Sequence, residues 1–141
     1  MDIREKIIQD IVRISRFLGM SEGSGLIFAT ILLSNKPLTM KEIKDRTGYS
    51  ISSISVYLNE LVKKNFIIKM KDVRTHFYMA KKDFKEFYIS MLKETLFENI
   101  KPLKEKLKHY ENKEKQDHIR EILFKIENLE KFIEKEVHSS V

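Results

Sequence analysis

The sequence predicts a mainly α-helical protein with one small β-hairpin. Apolar residues recur at intervals of about three to four positions over most of the chain, which is the period of an α-helix. The stretches FIIKMK and THFYMAK have the composition of strands instead, and the segment DVR separates them like the loop of a hairpin. A glycine at position 48 lies between two short helical patterns, where it permits a tight turn.

The N-terminal part of the chain is expected to form two helices. Apolar residues with helical spacing occupy positions 3–18, and Gly19 is expected to end this first helix. We interpret the SEGSG stretch, residues 21–25, as a turn because it is rich in Ser and Gly. Residues 24–34 are rich in Ile, Leu and Phe, so they predict a buried helix that the following SNKP stretch ends.

The next segment has the signals of two helices joined by a tight turn. Thr39 precedes Glu42 by three positions, which is the spacing of a capping box at a helix start. Gly48 is expected to end that helix and supply the turn, and Ser50 is expected to cap the next helix. The order helix, helix, turn, helix, hairpin is that of a winged helix-turn-helix domain. Its predicted recognition helix covers about residues 50–65, and its predicted wing covers about residues 66–81.

Long apolar stripes flank this winged domain. One small domain cannot bury so much apolar helix surface, so a second copy of the chain is expected to cover it. The sequence therefore predicts an N-terminal dimerisation helix (1–20), the winged domain (21–82) and a C-terminal helical dimerisation region (83–141). Pro102 removes a backbone donor within the last region, where it is expected to kink or restart the helix.

The last helix carries the apolar seam that is expected to contact a partner helix. Steps of three and four residues separate the candidates for the dimer interface, which are Ile119, Ile122, Ile126, Leu129 and Ile133. Leu123 and Phe132 widen this stripe. Packing within one chain is therefore an alternative to a strict coiled coil.

The positive charge of the chain is concentrated in its middle third. The net charge of the whole chain is +6. Eleven Lys or Arg but only four Asp or Glu lie between Lys36 and Lys82, whereas the rest of the chain is nearly balanced. Because a solvated surface usually mixes both signs, this segregation indicates a polyanionic partner such as double-stranded DNA.

The predicted recognition helix presents a small polar surface opposite its apolar one. The apolar face, which is expected to pack inward, consists of Ile51, Ile54, Leu58 and Leu61. The outward surface provides the candidates for contacts to DNA bases, which are Ser52, Ser53, Ser55, Val56 and Asn59. Short hydroxyl side chains can hydrogen-bond base edges in the major groove, and valine can contact a thymine methyl group. Glu60 is also expected on the outward surface. The alternative interpretation is that these serines are only a solvated helix face.

Side chains around the recognition helix and on the wing are candidates for contacts to the DNA backbone. The first group is Thr39, Lys41, Ser50, Lys63 and Lys64. The second group is Lys71, Arg74 and His76, which are expected to reach an adjacent minor groove or the backbone. The outward surface of the recognition helix has no arginine, the most common reader of guanine. Selectivity is therefore expected to depend on hydroxyls, on Asn59 and on DNA shape.

Little in the sequence indicates catalysis, a cofactor or a metal. The chain contains no cysteine, which excludes disulfides, thiol catalysis and zinc sites built on thiolates. The four histidines fall in different predicted elements without the spacing of a metal site. There is no phosphate-binding glycine loop and no nucleophile elbow. We therefore expect a protein that is not an enzyme and that needs no cofactor.

The sequence also lacks the signals of a membrane protein. No apolar run reaches the roughly 18 residues that a membrane-spanning helix needs. The N-terminus is charged throughout, unlike a signal peptide. We therefore expect a cytoplasmic protein without a membrane partner.

Four aromatic residues raise the question of a small-molecule effector. Phe84, Phe87, Tyr88 and Phe97 are able to line a pocket for a cationic ligand. Their spacing, however, fits a core or a dimer face better. An effector of unknown identity therefore remains an open alternative.

The central part of the chain resembles a known family. The stretch RTGYSISSISVYLNELVKKNFI, the basic hairpin through Arg74 and the stretch YMAKKDFKEF look like the MarR superfamily of winged-helix transcriptional regulators. The branch that they resemble most is the GbsR-like one, typified by the glycine-betaine-synthesis repressor. The resemblance covers about residues 20–90, and Asn65 stands where members of the branch usually keep a glycine. It implies a homodimeric DNA-binding regulator.

These observations predict a sequence-specific regulator of transcription that binds double-stranded DNA. It is expected to act as a homodimer and as a repressor that blocks promoter access. The alternative from a different class is a winged-helix interaction module that docks in a larger assembly without specific DNA binding.

Overall fold

The structure is a computed structural model that describes residues 1–114 and 117–139. The chain divides into two compact units, Met1–Asp83 and Phe84–Val141, which we describe separately. The elements of the first unit are α1 (Ile3–Phe17), α2 (Glu22–Leu32), α3 (Met40–Thr47), α4 (Ile51–Lys63), β1 (Ile67–Asp72) and β2 (Thr75–Ala80). Residues 115, 116, 140 and 141 of the predicted C-terminal region lie outside the described residues.

Helices α1 and α2 lie close together because small residues meet between them. A Cβ atom added at Gly25 would lie 3.2 Å from the Cβ atom of Ser15. Ser15 is buried, and its hydroxyl donates a hydrogen bond of 2.7 Å to the carbonyl of Ile11. Helix α2 begins at Glu22, with Ser21 as its N-cap. The interpretation of SEGSG as a turn is therefore wrong, because most of this stretch is helical and uses its small residues for close packing.

The turn between α3 and α4 has the geometry that its sequence predicts. The Thr39 hydroxyl accepts a hydrogen bond of 3.1 Å from the Glu42 N–H, and Glu42 Oε1 accepts one of 3.1 Å from the Thr39 N–H. Gly48 follows α3 with a φ of 75°, a left-handed conformation that glycine adopts at little cost. Ser50 then caps α4 by accepting from the N–H of Ser53. These contacts set where α4 begins.

Helix α4 packs against the rest of the first unit through its apolar face. Ile54, Leu58 and Leu61 are each at most 1% exposed. Burying one such side chain contributes roughly 1.5–3 kcal/mol, so these three residues strongly favour one rotation of α4 about its axis. Ile51 was also expected to pack inward, but it is 42% exposed. It is the first residue of α4, so no preceding helical turn covers it.

The wing is a two-stranded antiparallel hairpin attached to the segment before α3. Its last register pair joins Asp72 and Thr75, which leaves two residues at the tip. Leu38 and Tyr78 exchange two backbone hydrogen bonds of 3.0 and 2.8 Å, so β2 is held beside the start of α3. Asn65, which precedes the wing, has a φ of 65°. This asparagine therefore adopts the left-handed conformation that glycine usually occupies.

The second unit is helical in its described residues. Its elements are α5 (Phe84–Glu94), a π-helical segment (Thr95–Ile100), α6 (Lys101–Glu114) and α7 (Asp117–Ser139). The Lys101 N–H donates to the carbonyl of Leu96, five residues earlier, which is the π-helical pattern. Pro102 follows at once and has no N–H to donate. The helical backbone thus widens before the proline and continues as α6.

Part of the predicted dimer seam packs inside this unit. Leu96, Ile100, Ile133 and Val137 form a buried cluster, with Leu92 and Ile126 packed against it. Ile133 and Ile126 therefore belong to the core of the unit. Ile122 and Leu129 are 45% and 41% exposed, and Ile119 is half-buried.

A buried carboxylate lies between two lysines in the same unit. Glu130 is 7% exposed, and its oxygens lie 2.9 Å from Lys104 Nζ and 3.3 Å from Lys101 Nζ. The hydrogen bond from Lys104 holds the pKa of Glu130 below its ordinary value. This pairing explains how α7 carries an acidic residue on its inner face.

The four aromatic residues considered for an effector pocket divide between different surroundings. The rings of Phe84 and Phe87 meet edge to face, with 5.5 Å between their centroids, and Phe87 is buried. Tyr88 is 38% exposed. Phe97 lines a cavity of about 450 Å³ together with Lys93, Leu96, Lys101, Glu134, Val137 and His138.

Candidate nucleic-acid interface

The start of α4 presents an exposed polar surface. Ser52, Ser53 and Asn59 are exposed, Val56 is 62% exposed, and Ser55 is half-buried. The rotation fixed by the buried face of α4 is what turns these residues outward. The surface thus contains the five side chains that the sequence analysis proposed for contacts to bases.

Three serine hydroxyls form a connected group at this helix end. Ser50 Oγ accepts from the Ser53 N–H at 3.2 Å and donates to Ser53 Oγ at 3.0 Å. Ser52 Oγ lies 3.2 Å from Ser50 Oγ. Each hydroxyl has one proton to donate, and the Ser50 hydroxyl donates its proton in the hydrogen bond that Ser53 Oγ accepts. Ser53 therefore keeps its own proton for an acceptor outside the protein, such as a base edge or a phosphate oxygen.

Glu60 does not lie on this exposed surface, contrary to expectation. One of its carboxylate oxygens accepts a hydrogen bond of 3.2 Å from the buried hydroxyl of Ser24 in α2. The other lies 3.7 Å from the ammonium nitrogen of Lys64. The carboxylate is thus directed towards α2 because it finds hydrogen-bonding partners there.

A cleft between the start of α3 and the wing brings four predicted contact residues together. Its volume is about 260 Å³, and Thr39, Lys41, Arg74 and His76 line it with Met40, Thr75 and Tyr78. Lys41, Arg74 and His76 are exposed. The Thr39 hydroxyl is engaged in the capping box, so its role here is to fix the helix start rather than to offer a free donor.

The other basic candidates lie at different places around α4 and the wing. Lys63 is exposed in the last turn of α4. Lys64 is exposed, but its ammonium is turned towards the protein surface, where it lies 3.5 Å from the carbonyl oxygen of Gly19. Lys71 pairs with His76 in the register of the hairpin and lines a second cleft that also contains Lys36.

Two glutamates near the interface, Glu42 and Glu60, are paired with lysines. The Lys36 ammonium lies 2.9 Å from Glu42 Oε2. The hydrogen bond from Lys36 is the largest cause, and that from the Thr39 N–H is the second, of a pKa of Glu42 that is lowered to about 2. The carboxylates of Glu42 and Glu60 are therefore both compensated locally by a lysine, which limits their repulsion of a polyanion.

The residues of α2 on which α4 rests were not predicted from the sequence. A Cβ atom at Gly23 would overlap the ring of Tyr57, a residue of α4. The neighbouring Ser24 is the buried donor to Glu60. The available signal was Ser21 followed by small residues, which is also the pattern of a capped helix start that allows close approach.

The described residues do not form a metal site. Within residues 1–114 and 117–139, no group of three or more metal-binding side chains comes together. His76 lies on the wing, His109 in α6, and His118 and His138 in α7. Likewise, none of the helices in this part of the chain combines the length and apolar character needed to span a bilayer.

Two curated proteins of Bacillus subtilis (strain 168) are similar to this chain. The HTH-type transcriptional repressor OpcR is 28% identical over 89 residues, which cover 62% of this chain and 48% of OpcR. YvaV, which carries the name of an HTH-type transcriptional regulator, is 26% identical over 93 residues, covering 64% of this chain and 52% of YvaV. The chain spans about half the length of these relatives. No protein-family model matches it.

The fold also matches a solved structure. A crystal structure of a transcriptional regulator superimposes with a TM-score of 0.64, covers 99% of this chain and 98% of its own, and is 10% identical in sequence. At this identity the likeness concerns the fold alone. The protein therefore has a winged helix-turn-helix fold with additional helices.

Proposed function

We propose that this protein binds double-stranded DNA and regulates transcription, with α4 as the recognition helix. The observation that carries the proposal is that one unit presents both an exposed serine-rich start of α4 and a basic cleft lined by Lys41, Arg74 and His76. A winged-helix protein needs these two parts, one to read bases and one to hold the backbone. The names of OpcR and YvaV support the same class of function.

In the proposed complex, the N-terminal end of α4 enters the major groove. Ser52, Ser53, Ser55, Val56 and Asn59 face the base edges. Helix N-termini favour anions, so the backbone N–H groups at this end also suit a phosphate. Lys41 and Lys63 contact phosphates, and the wing with Lys71, Arg74 and His76 lies on the minor groove or the backbone.

We further propose that the protein acts as a homodimer. Ile122, Leu129 and Phe132 are 45%, 41% and 67% exposed and lie on adjacent positions of the helical surface of α7. This strip borders the face that packs inside the unit. Helix α1 adds exposed apolar residues, including Ile3, Ile14 and Phe17. A symmetric pair would bind an operator with two-fold symmetry.

Repression and membership of the GbsR-like branch of the MarR superfamily complete the proposal. OpcR is named a repressor, and this chain matches about half of it. A dimer bound across a promoter prevents polymerase access by occupying the same DNA. The competing proposal is a docking module, which would bind DNA weakly and without sequence preference.

Titration of mixed-sequence duplex DNA against salt tests the proposal. We expect the logarithm of the association constant to fall steeply with the logarithm of salt concentration, because lysines and arginines displace counterions from phosphates. Arg74→Ala should reduce this slope, whereas the control Lys106→Ala, an exposed charge in α6, should not. Absence of duplex binding at low salt would contradict the proposal.

A further inference from the structure

We infer that Ser24 is a positioning residue for DNA binding, because its hydrogen bond holds the Glu60 carboxylate away from the DNA-contacting surface of α4. This inference rests on the proposed function. Glu60 is the acidic residue within the sequence ISSISVYLNELVK of α4. A carboxylate on a helix in the major groove would face phosphates of the same sign, so its direction matters.

The hydroxyl of Ser24 is fixed in the direction of Glu60. Ser24 is 0% exposed, and its Oγ accepts a hydrogen bond of 3.0 Å from the hydroxyl of Ser21. Its own proton therefore points to Glu60 Oε2, 3.2 Å away. Ser21 Oγ also accepts from the Ser24 N–H as the N-cap of α2. The start of α2 thus provides an ordered donor for the carboxylate.

A lysine holds the carboxylate from its other side. Lys64 Nζ lies 3.7 Å from Glu60 Oε1 and 3.5 Å from the carbonyl oxygen of Gly19. Lys64 and its ion pair are partly exposed, so this pair contributes at most modestly. The hydroxyl of Ser24 is the more specific constraint, because it is fully buried and its direction is fixed by the Ser21 hydroxyl.

The surrounding packing places Glu60 on the face of α4 that meets α2. Tyr57, one helical turn before Glu60, rests on Gly23, where any side chain would overlap its ring. The residues proposed to contact bases, such as Val56 and Asn59, lie on the adjoining side of α4 and are exposed. Gly23 and Ser24 therefore both contact the inner side of α4. Gly23 leaves room for the ring of Tyr57, and the Ser24 hydroxyl bonds to Glu60.

Loss of the Ser24 hydroxyl would free the carboxylate to swing outward. Val56 precedes Glu60 by four positions, so the two are neighbours on the helix surface. A charge that moves to within several ångströms of a phosphate in water changes the binding free energy enough to weaken affinity about threefold. This repulsion is screened by salt, whereas a packing defect is not.

Four proteins measured on one duplex test the inference: the wild type, Ser24→Ala, Glu60→Gln and the double variant. We expect Ser24→Ala to weaken binding about threefold at low salt, with a loss that shrinks as salt rises. Glu60→Gln should bind at least as tightly as the wild type, because it carries no charge and its amide oxygen still accepts from Ser24. The double variant should bind like Glu60→Gln.

Ser15→Ala is the matched control, because Ser15 is an equally buried serine whose hydroxyl bonds only to its own helix. It should leave affinity unchanged, and melting temperatures should show that all variants fold. Should Ser24→Ala fail to fold, Ser24→Cys takes its place and should weaken binding in the same salt-dependent way, because a thiol occupies a similar space but is only a weak donor. Unchanged affinity of Ser24→Ala, a double variant as weak as Ser24→Ala, or weakened binding by Glu60→Gln would overturn the inference. If the wild type binds no duplex, the proposed function fails and this role of Ser24 falls with it.

Discussion

The hydroxyl of Ser50 accepts a hydrogen bond from the backbone N–H of Ser53, with 3.2 Å between the two heavy atoms. This bond closes the first turn of α4, while the Ser53 side chain stays exposed. The two serines therefore have separable tasks, one in folding and one in the proposed DNA contact. Variants of the two residues distinguish these tasks.

Ser50→Ala should destabilise the folded protein. The change leaves the Ser53 N–H without its cap, which typically costs about 1 kcal/mol of unfolding free energy. Chemical denaturation followed by circular dichroism measures the difference. Ser90→Ala, at an exposed position of α5, is a control that should stay within about 0.5 kcal/mol of the wild type. An unchanged midpoint and slope for Ser50→Ala would contradict the assigned cap.

Ser53→Ala should weaken DNA binding without destabilising the folded protein. Alanine is the better helix former, so the unfolding free energy should hold or rise slightly. Affinity for a selected operator should fall by about 1 kcal/mol, because the hydroxyl no longer donates to DNA. The comparison requires one fixed salt concentration, since phosphate contacts make affinity salt-dependent. Ser52→Ala is the parallel test. Full operator affinity in both variants would mean that the serines are only a solvated helix face.

Arg74→Ala should weaken binding to all duplexes by a similar factor. Arg74 lies at the tip of the wing and lines the basic cleft beside α3. A residue that meets phosphates carries little sequence information. Titrating the operator and its single-base variants measures the effect. A loss confined to one base position would instead show that the wing reads sequence.

Phe132→Glu should shift the protein from dimer to monomer. Phe132 is 67% exposed and, with Leu129 and Ile122, forms the apolar strip of α7. Sedimentation should show a dimer for the wild type at micromolar concentration and a species of 16.8 kDa for the variant. Lys131→Glu, on the opposite side of α7, is the control and should remain dimeric. A wild type that sediments as a monomer would refute the proposed dimer.

Acid should remove the contribution of Glu42 to stability. Its pKa is about 2 in the folded protein and about 4.5 ordinarily, because Lys36 and the Thr39 N–H favour the charged form. A lowered pKa means that the stabilisation is complete above about pH 4.5 and is lost as pH falls towards 2. The difference in unfolding free energy between wild type and Glu42→Gln should narrow over this range. Lys36→Gln should weaken the same pH dependence. A difference that stays constant from pH 5 to 2 would contradict the assignment.

The features that the sequence predicted well depend on local interactions. Thr39 and Glu42 form a capping box because they lie three positions apart in the sequence. Gly48 needs only its own conformational freedom, and the inward residues Ile54 and Leu58 follow from the helical period. Each of these features is set within one or two helical turns, so a single sequence is sufficient to predict it.

The features that the sequence predicted poorly depend on partners that are distant in the chain. The helical period predicts that Glu60 points outward. It does not show that the buried hydroxyl of Ser24, in another helix, donates a hydrogen bond to the Glu60 carboxylate. Gly23 was assigned to a turn, although its lack of a side chain serves contact with Tyr57. The period of α7 does not tell which side of a broad apolar stripe packs within the chain. The cluster around Ile133 settles this only in three dimensions.

Selection of bound sequences from a random pool of duplex DNA tests whether α4 recognises a specific operator. We expect enrichment of one motif with two-fold symmetric half-sites, because two copies of α4 read the major groove in a symmetric dimer. Ser53→Ala should lower the enrichment at particular base positions, and Arg74→Ala should lower total recovery without changing the motif. A pool that binds without any enriched motif would contradict sequence-specific recognition and favour the docking module.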